Sequence, residues 1–177
     1  MTTETIVLAG GCFWCTEAVF DRLRGVLDVE SGYANGHVEH PSYEAVCTGD
    51  TGHAEVVKLT YDPAQISLQD VLMVFFSTHD PTTLNRQGND VGPQYRSGIY
   101  FTTPEQEATA REMVAQLEAE KIFRAPVVTE VKALESYWPA EDYHQDYFAN
   151  NPGTGYCAFV VGPKVEKFSE RFKALLK

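Results

Sequence analysis

The apolar run Thr5-Ile6-Val7-Leu8-Ala9 ends in two adjacent glycines, Gly10-Gly11, and Cys12-Phe13-Trp14-Cys15 follows at once. Such a run, closed by a glycine pair, reads as a buried strand followed by a turn. Beyond the turn, Phe13, Ala18, Phe20 and Leu23 recur at helical spacing, which predicts a helix over residues 13–24. A buried strand leading directly into a helix implies a sheet with the helix laid on it, and it puts Cys12 at the helix N-terminus.

The rest of the chain supplies partners for that strand. Residues 26–33 and 54–61 read as strands, with a Gly-, His-, Asn- and Ser-rich loop over 34–53 between them. Ser67 with Asp70 three residues later caps a helix carrying Leu68, Val71, Leu72 and Phe75, which stops near Asp80-Pro81. A second long loop covers 79–97. Then come a strand at 99–102, a helix from Pro104 to about Ile122 and a strand over 127–133. This order is β-α-β-β-α-β plus one more helix and strand. The expected class is α+β, a split-βαβ (ferredoxin-like) sheet with helices packed on it. We read residues 1–177 as a single domain, with a core over about 5–135. A long irregular tail, 136–177, holds short helices near 141–149 and 164–176.

Hydrophobic residues make up 44% of the chain, enough for a core without disulfides or metal. With 14 basic against 25 acidic residues the net charge is −11, which argues against nucleic acid as a partner. No apolar run approaches the ~20 residues of a membrane span, and residues 1–5 lack a basic leader, so a soluble cytoplasmic protein is expected. Four irregularly spaced cysteines do not resemble a secreted disulfide framework. Zinc would need a second closely spaced ligand pair. Cys47 and Cys157 are single, and His37, His40 and His53 are scattered, so no metal is expected.

A thiol at a helix N-terminus loses its proton more readily, because unpaired N–H groups and the helix dipole favour an anion. That makes Cys12 a candidate nucleophile, with Phe13 and Trp14 as walls of an apolar pocket beside it. The plainer alternative is that Cys12 is a small buried hydrophobe and the aromatics are core. Along the strand Ala54–Tyr61, period two places Glu55 with Val57, Leu59 and Tyr61 on the apolar face. A carboxyl buried there holds its proton to higher pH and can donate it to a developing oxyanion. If instead the strand end frays, Glu55 simply meets water.

Gly11-Cys12-Phe13-Trp14, Tyr43-x-x-Val46-Cys47-Thr48-Gly49, Thr51-Gly52-His53-Ala54-Glu55 and His79-Asp80-Pro81 resemble the peptide methionine sulfoxide reductase A family. Arg86-Gln87-Gly88-Asn89-Asp90, Gln94-Tyr95-Arg96-Ser97, Glu141-Asp142-Tyr143-His144-Gln145 and Gly155-Tyr156-Cys157 continue the likeness in order. The resemblance implies that Cys12 attacks the sulfoxide sulfur and that Glu55 protonates its oxygen. Tyr43 and Tyr95 would hydrogen-bond that oxygen, Asp90 would organise the thiolate and a water, and Phe13 and Trp14 would hold the S-methyl group. It further implies reduction of the S epimer, free or in peptides, through a Cys12 sulfenic acid and an intramolecular disulfide. No cofactor is implied beyond an external dithiol such as thioredoxin, and the protein is expected to act as a monomer.

Two departures matter. Position 15 is Cys where many members have glycine, and no cysteine follows Cys157 where many have a second recycling thiol. Resemblance therefore points to Cys157 as first resolver, while proximity points to Cys15; Cys47 is expected to be structural. A general Cys-x-x-Cys thiol-disulfide oxidoreductase and a non-catalytic module that binds oxidised peptides remain the alternatives. Neither gives Glu55, Tyr43 and Tyr95 a task.

Overall fold

The computed structural model describes residues 2–177. In chain order the elements are β1 (Glu4–Gly10), α1 (Phe13–Phe20), β2 (Val26–Ala34), α2 (Tyr43–Cys47), β3 (Ala54–Tyr61), α3 (Leu68–Ser77) and β4 (Arg86–Gln87). They continue with β5 (Asp90–Val91), β6 (Ser97–Phe101), α4 (Pro104–Ala119), β7 (Glu130–Ala133), β8 (Tyr137–Pro139), α5 (Tyr147–Asn150) and α6 (Gly162–Arg171). A π-helical turn, Cys157–Val161, runs straight into α6. Among the described residues no helix is long and apolar enough to cross a membrane.

Six strands form one sheet in the order β7-β6-β1-β3-β2-β8, and β4 with β5 makes a separate two-stranded hairpin. Every pairing in the large sheet is antiparallel except β6 with β7. The fold is thus α+β. β1 lies mid-sheet and is fully buried on both faces from Ile6 to Ala9, which is why its apolar run is continuous rather than alternating. One face carries Ile6, Leu8, Val57, Leu59, Tyr61 and Ile99 into a core shared with α1 and α3. On the other, Val7, Ala9, Ala34, Ala54, Val56 and Tyr100 pack beneath Leu134 and Tyr137.

Several boundaries differ from the sequence expectation for local reasons. α1 ends at Phe20 rather than near 24, because tight i→i+3 bonds at Arg22 and Leu23 turn the chain toward Gly25, whose φ is +91°. α4 stops at Ala119, just before Lys121 enters the left-handed region at φ +52°. The long loop after β2 contains α2, capped by Ser42 Oγ accepting from Ala45 N–H at 3.1 Å. The final segment is more regular than an irregular tail: β8 joins the sheet edge beside β2, and the π turn and α6 pack against α1.

The turn after β1 needs glycine at position 11. Its φ is +91°, and a Cβ there would sit 2.6 Å from Gln87 Cγ and 2.8 Å from Gln87 Cβ. Gln87 cannot yield, because its amide both accepts from Asp80 N–H (2.8 Å) and donates to Asp80 O (2.9 Å). Gly11→Ala is expected to cost about 2 kcal/mol and lower Tm by roughly 5 °C in a thermal melt. An unchanged Tm would mean that the turn before Cys12 can relax.

Candidate active site

Cys12 is the N-cap residue of α1; its carbonyl accepts from Cys15 N–H at 3.1 Å and Thr16 N–H at 3.4 Å. Directly under that first turn lies Glu55, the second residue of β3, paired across the ladder with Tyr33. The period-two reading of β3 holds: Glu55 is 1% exposed, on the same face as Val57, Leu59 and Tyr61. Its Oε1 accepts from Phe13 N–H at 3.2 Å, while Oε2 is buried with no partner. Burial outweighs the Phe13 bond and pushes the Glu55 carboxyl up to about 8. At neutral pH it is therefore an acid with a proton to give.

The thiols behave differently from the expectation of a simple helix-terminus thiolate. Cys12 is shifted upward by its hydrogen bond with Cys15, then by burial and by Glu55 nearby, and the favourable backbone contact at Trp14 does not compensate. Cys15 is shifted downward, because Cys12 donates a hydrogen bond to it and because Lys164 lies near. At Cys12 the first turn of this eight-residue helix does not offset the contact with Cys15 and the cost of desolvating a charge. The two sulfurs thus titrate as one pair, with the first negative charge favoured on Cys15 and the remaining proton on Cys12.

Around Cys12 stands an aromatic cluster. Trp14 stacks on Tyr147 with ring centroids 3.9 Å apart, meets Tyr156 edge-on at 5.7 Å, and faces Tyr43 at 6.4 Å. Phe13 is buried against Tyr33 (5.7 Å), His144 (5.0 Å) and Tyr43 (6.2 Å). Tyr43 opens α2, and its backbone N–H donates to Glu141 Oε2 at 3.0 Å. Tyr95 is placed by its neighbours. Gln94 Nε2 donates to Cys47 O at 3.3 Å, and Arg96 donates to Glu130, Pro93 O and Gly52 O at 2.7–2.9 Å. Burial first, and then the Glu55 charge, push both Tyr43 and Tyr95 well above the usual phenol range. Both hydroxyls stay protonated and available as donors.

Asp90, at the start of β5, accepts from Tyr156 OH at 2.9 Å, which joins the β4–β5 hairpin to the segment that carries Cys157. Cys157 is fully buried at the first position of the π turn, rather than lying in an open glycine-rich strand of tail. Cys47, expected to be a structural thiol, is exposed at the end of α2, close to the hydroxyls of Tyr43 and Tyr95. All four cysteines are free.

Several contributors carried no assigned role in the sequence reading. His144 is buried; its Nδ1 accepts from Trp14 Nε1–H at 3.0 Å, which leaves the proton on Nε2, where it has no partner. Tyr33 OH donates to Glu141 Oε1 at 2.8 Å. Burial would raise Glu141, but the Tyr43 N–H and the Tyr33 hydroxyl outweigh it and hold the carboxylate ionised. Tyr156 and His144 lie inside the quoted blocks Gly155-Tyr156-Cys157 and Glu141–Gln145, so a signal for them existed. Nothing local marks Tyr33 or Tyr147. His53 is occupied in closing its own loop, accepting from Gly36 N–H at 3.0 Å. Among the described residues no group of three or more His, Cys, Asp or Glu could hold a metal ion.

An α+β sheet that presents two adjacent thiols over a buried protonated acid, beside an aromatic wall, places the chain among the thiol-dependent oxidoreductases. The family model described as peptide methionine sulfoxide reductase matches residues 4–176. The chain belongs to that family, and it is an enzyme that reduces methionine sulfoxide. It is 58% identical over 173 residues to the peptide methionine sulfoxide reductase MsrA of Ralstonia nicotianae, covering 96% of this chain and 91% of that one. Its identity to the Deinococcus radiodurans MsrA is 57% over 169 residues, covering 96% and 82%. Among solved structures, reduced Mxr1 from Saccharomyces cerevisiae superposes with a TM-score of 0.80 at 36% identity, covering 88% of this chain and 89% of that one.

Proposed function

We propose that Cys12 attacks the sulfur of a methionine S-sulfoxide, free or within a peptide, while Glu55 protonates the sulfoxide oxygen. The observation that carries this reading is Glu55 itself, buried beneath the first turn of α1, fixed by Phe13 N–H and protonated at neutral pH. A sulfoxide oxygen is a poor leaving group until it is protonated, so an acid beside the nucleophile supplies what the reaction lacks. Tyr43 and Tyr95 add donors to the same oxygen, and Phe13 with Trp14 receive the S-methyl group. Asp90, holding Tyr156, orders the polar side of the pocket.

The Cys12 proton passes along its hydrogen bond to Cys15, leaving the nucleophile ionised only when it is needed. The Cys12 sulfur bonds the sulfoxide sulfur, the substrate S–O bond breaks and the protonated oxygen passes to the Cys12 sulfur; methionine leaves reduced by two electrons, and Cys12 is left as a sulfenic acid. Cys157 then displaces it as water to give a Cys12–Cys157 disulfide, which an external dithiol reduces. Thioredoxin is the reductant in this reading; the yeast relative Mxr1 has been solved in complex with Trx2. The chain would act as one cytoplasmic domain in repair of oxidised methionine. Its central strands, β6-β1-β3-β2, support a split-βαβ (ferredoxin-like) core.

The test is a single turnover of fully reduced protein on racemic methionine sulfoxide without added reductant, with disulfides mapped by peptide mass spectrometry. Methionine from the S epimer alone and a Cys12–Cys157 bond are the expected results. A Cys12–Cys15 bond would move resolution to Cys15, and no methionine at all would reject the mechanism. In Cys157→Ser the first turnover is expected to remain, with a dimedone-reactive Cys12. Steady-state turnover with thioredoxin should fall by about 10²-fold, because the sulfenic acid has lost its resolver.

A further inference from the structure

We infer that Lys164, from the first turn of α6, is a positioning residue for this chemistry: it holds the negative charge of the thiol pair on Cys15, so that Cys12 rests as a thiol between turnovers. The inference rests on the reading above, in which Cys12 is the nucleophile and Cys15 receives its proton.

Cys15 and Lys164 line one small cavity of about 10 Å³, whose other polar side chains are Thr16, Thr78 and His79. The protons of those three are committed elsewhere. Thr16 Oγ1 donates to Cys12 O at 3.4 Å, and Thr78 Oγ1 donates to Val74 O at 2.8 Å. His79 is neutral, because burial pushes it down to about 4. Its Nδ1–H donates to Phe75 O, and its Nε2 accepts from Ser97 Oγ at 2.7 Å. Lys164 is left as the one side-chain donor of the cavity that can face the Cys15 sulfur.

The electrostatics point the same way. Lys164 is half-buried and forms no ion pair among the described residues. A cavity of this size has room for about one water, which leaves no space for a dissolved ion between the ammonium and the sulfur. The other groups facing Cys15 supply no positive charge. Asp90 is an acid that opposes a thiolate there, and Tyr156 gives its single hydroxyl proton to Asp90 at 2.9 Å. Glu55 is protonated at neutral pH. The Cys15 thiol is therefore held down by the Cys12 hydrogen bond first and by Lys164 next, against burial and Asp90.

A thiol reacts far more slowly with peroxides and other electrophiles than a thiolate does. Charge kept on Cys15 spares Cys12 from chance oxidation while no sulfoxide is bound. Once the sulfoxide is seated, the proton on the Cys12 sulfur passes to the Cys15 sulfur. One S–H bond breaks and another forms, and the negative charge moves to the nucleophile. Lys164 takes no part in the bond changes.

The test is the thiolate absorbance at about 240 nm in two single-thiol backgrounds. It needs no sulfoxide, so its failure is separate from a failure of the single turnover that tests the functional reading. With Cys12→Ser, Cys47→Ser and Cys157→Ser combined, Cys15 is the only thiol left. Adding Lys164→Met should lower its thiolate signal at about pH 7 by roughly threefold to tenfold, and Lys164→Arg should keep most of it. Lys167, a cation of the neighbouring groove, does not line the cavity, so Lys167→Met should leave the signal unchanged. With Cys15→Ser, Cys47→Ser and Cys157→Ser combined, only Cys12 remains, and its signal should be the weaker of the two backgrounds. A Cys15 signal that ignores Lys164→Met overturns the inference. So does an equal fall in Lys167→Met, which would mean a diffuse field, or a stronger thiolate signal from Cys12 than from Cys15.

Discussion

Cys12→Ser is expected to abolish methionine formation, at least about 10⁴-fold below wild type even in a single turnover with saturating sulfoxide. The hydroxyl has the size of the thiol but cannot be raised to a sulfenic acid, so the two electrons that the sulfoxide needs have no donor at position 12. Cys15→Ser is the matching control. It removes the sulfur that receives the Cys12 hydrogen bond and should slow the first turnover without preventing it, because Cys12, Glu55 and the phenols remain. Rapid quench with quantified methionine distinguishes the two variants. Stoichiometric methionine from Cys12→Ser would place the nucleophile at Cys15, which is also buried and is the more readily ionised of the pair. Neither substitution should change the fold greatly, since both positions hold small side chains whose shape serine keeps.

Much of this site could be read from local pattern. The glycine pair after β1 fixed the turn, and Gly11 at φ +91° against Gln87 shows why no side chain is tolerated there. The alternation in β3 put Glu55 on the core face, because a register slip of one residue would have exposed Val57, Leu59 and Tyr61 together. What pattern could not reveal was the balance of opposing effects at one atom. A helix N-terminus favours a thiolate, but the sequence does not tell how deeply Cys12 is buried, nor that Cys15 and Glu55 crowd it. The same holds for long-range partners. Tyr33 meets Glu141 from 108 residues away, and Trp14 meets His144 from 130 residues away, so only the folded chain brings them together. α2 was hidden because five residues between Pro41 and Gly49 carry too little periodicity to stand out, although Ser42 was a legible cap.

Glu55→Gln is expected to make the enzyme slower and the fold more stable, and the two effects have one cause. Gln keeps an oxygen for Phe13 N–H but has no acidic proton, so the first-turnover rate should fall by about 10²–10⁴-fold at pH 7. In wild type that rate should decline above pH about 8 as the carboxyl ionises, and the variant should lack this descending limb. The stability change follows from the same shift, from the ordinary 4.5 up to about 8. Below the unfolded value Glu55 is protonated in both states and burial exacts no ionisation penalty. As pH rises from 4.5 toward 8 the unfolded chain gives up that proton while the folded chain retains it, so wild-type stability falls by about 1.4 kcal/mol per pH unit. Above about 8 both states are ionised and the loss stops growing. The variant has no such dependence, so its stability relative to wild type should rise across this window by a total of about 4 kcal/mol. Urea unfolding at pH 5 and pH 8 measures the difference directly. Equal gaps at the two pH values would mean that Glu55 is already ionised in the folded protein, and the proton the sulfoxide oxygen needs would then have to come from Tyr43 or Tyr95.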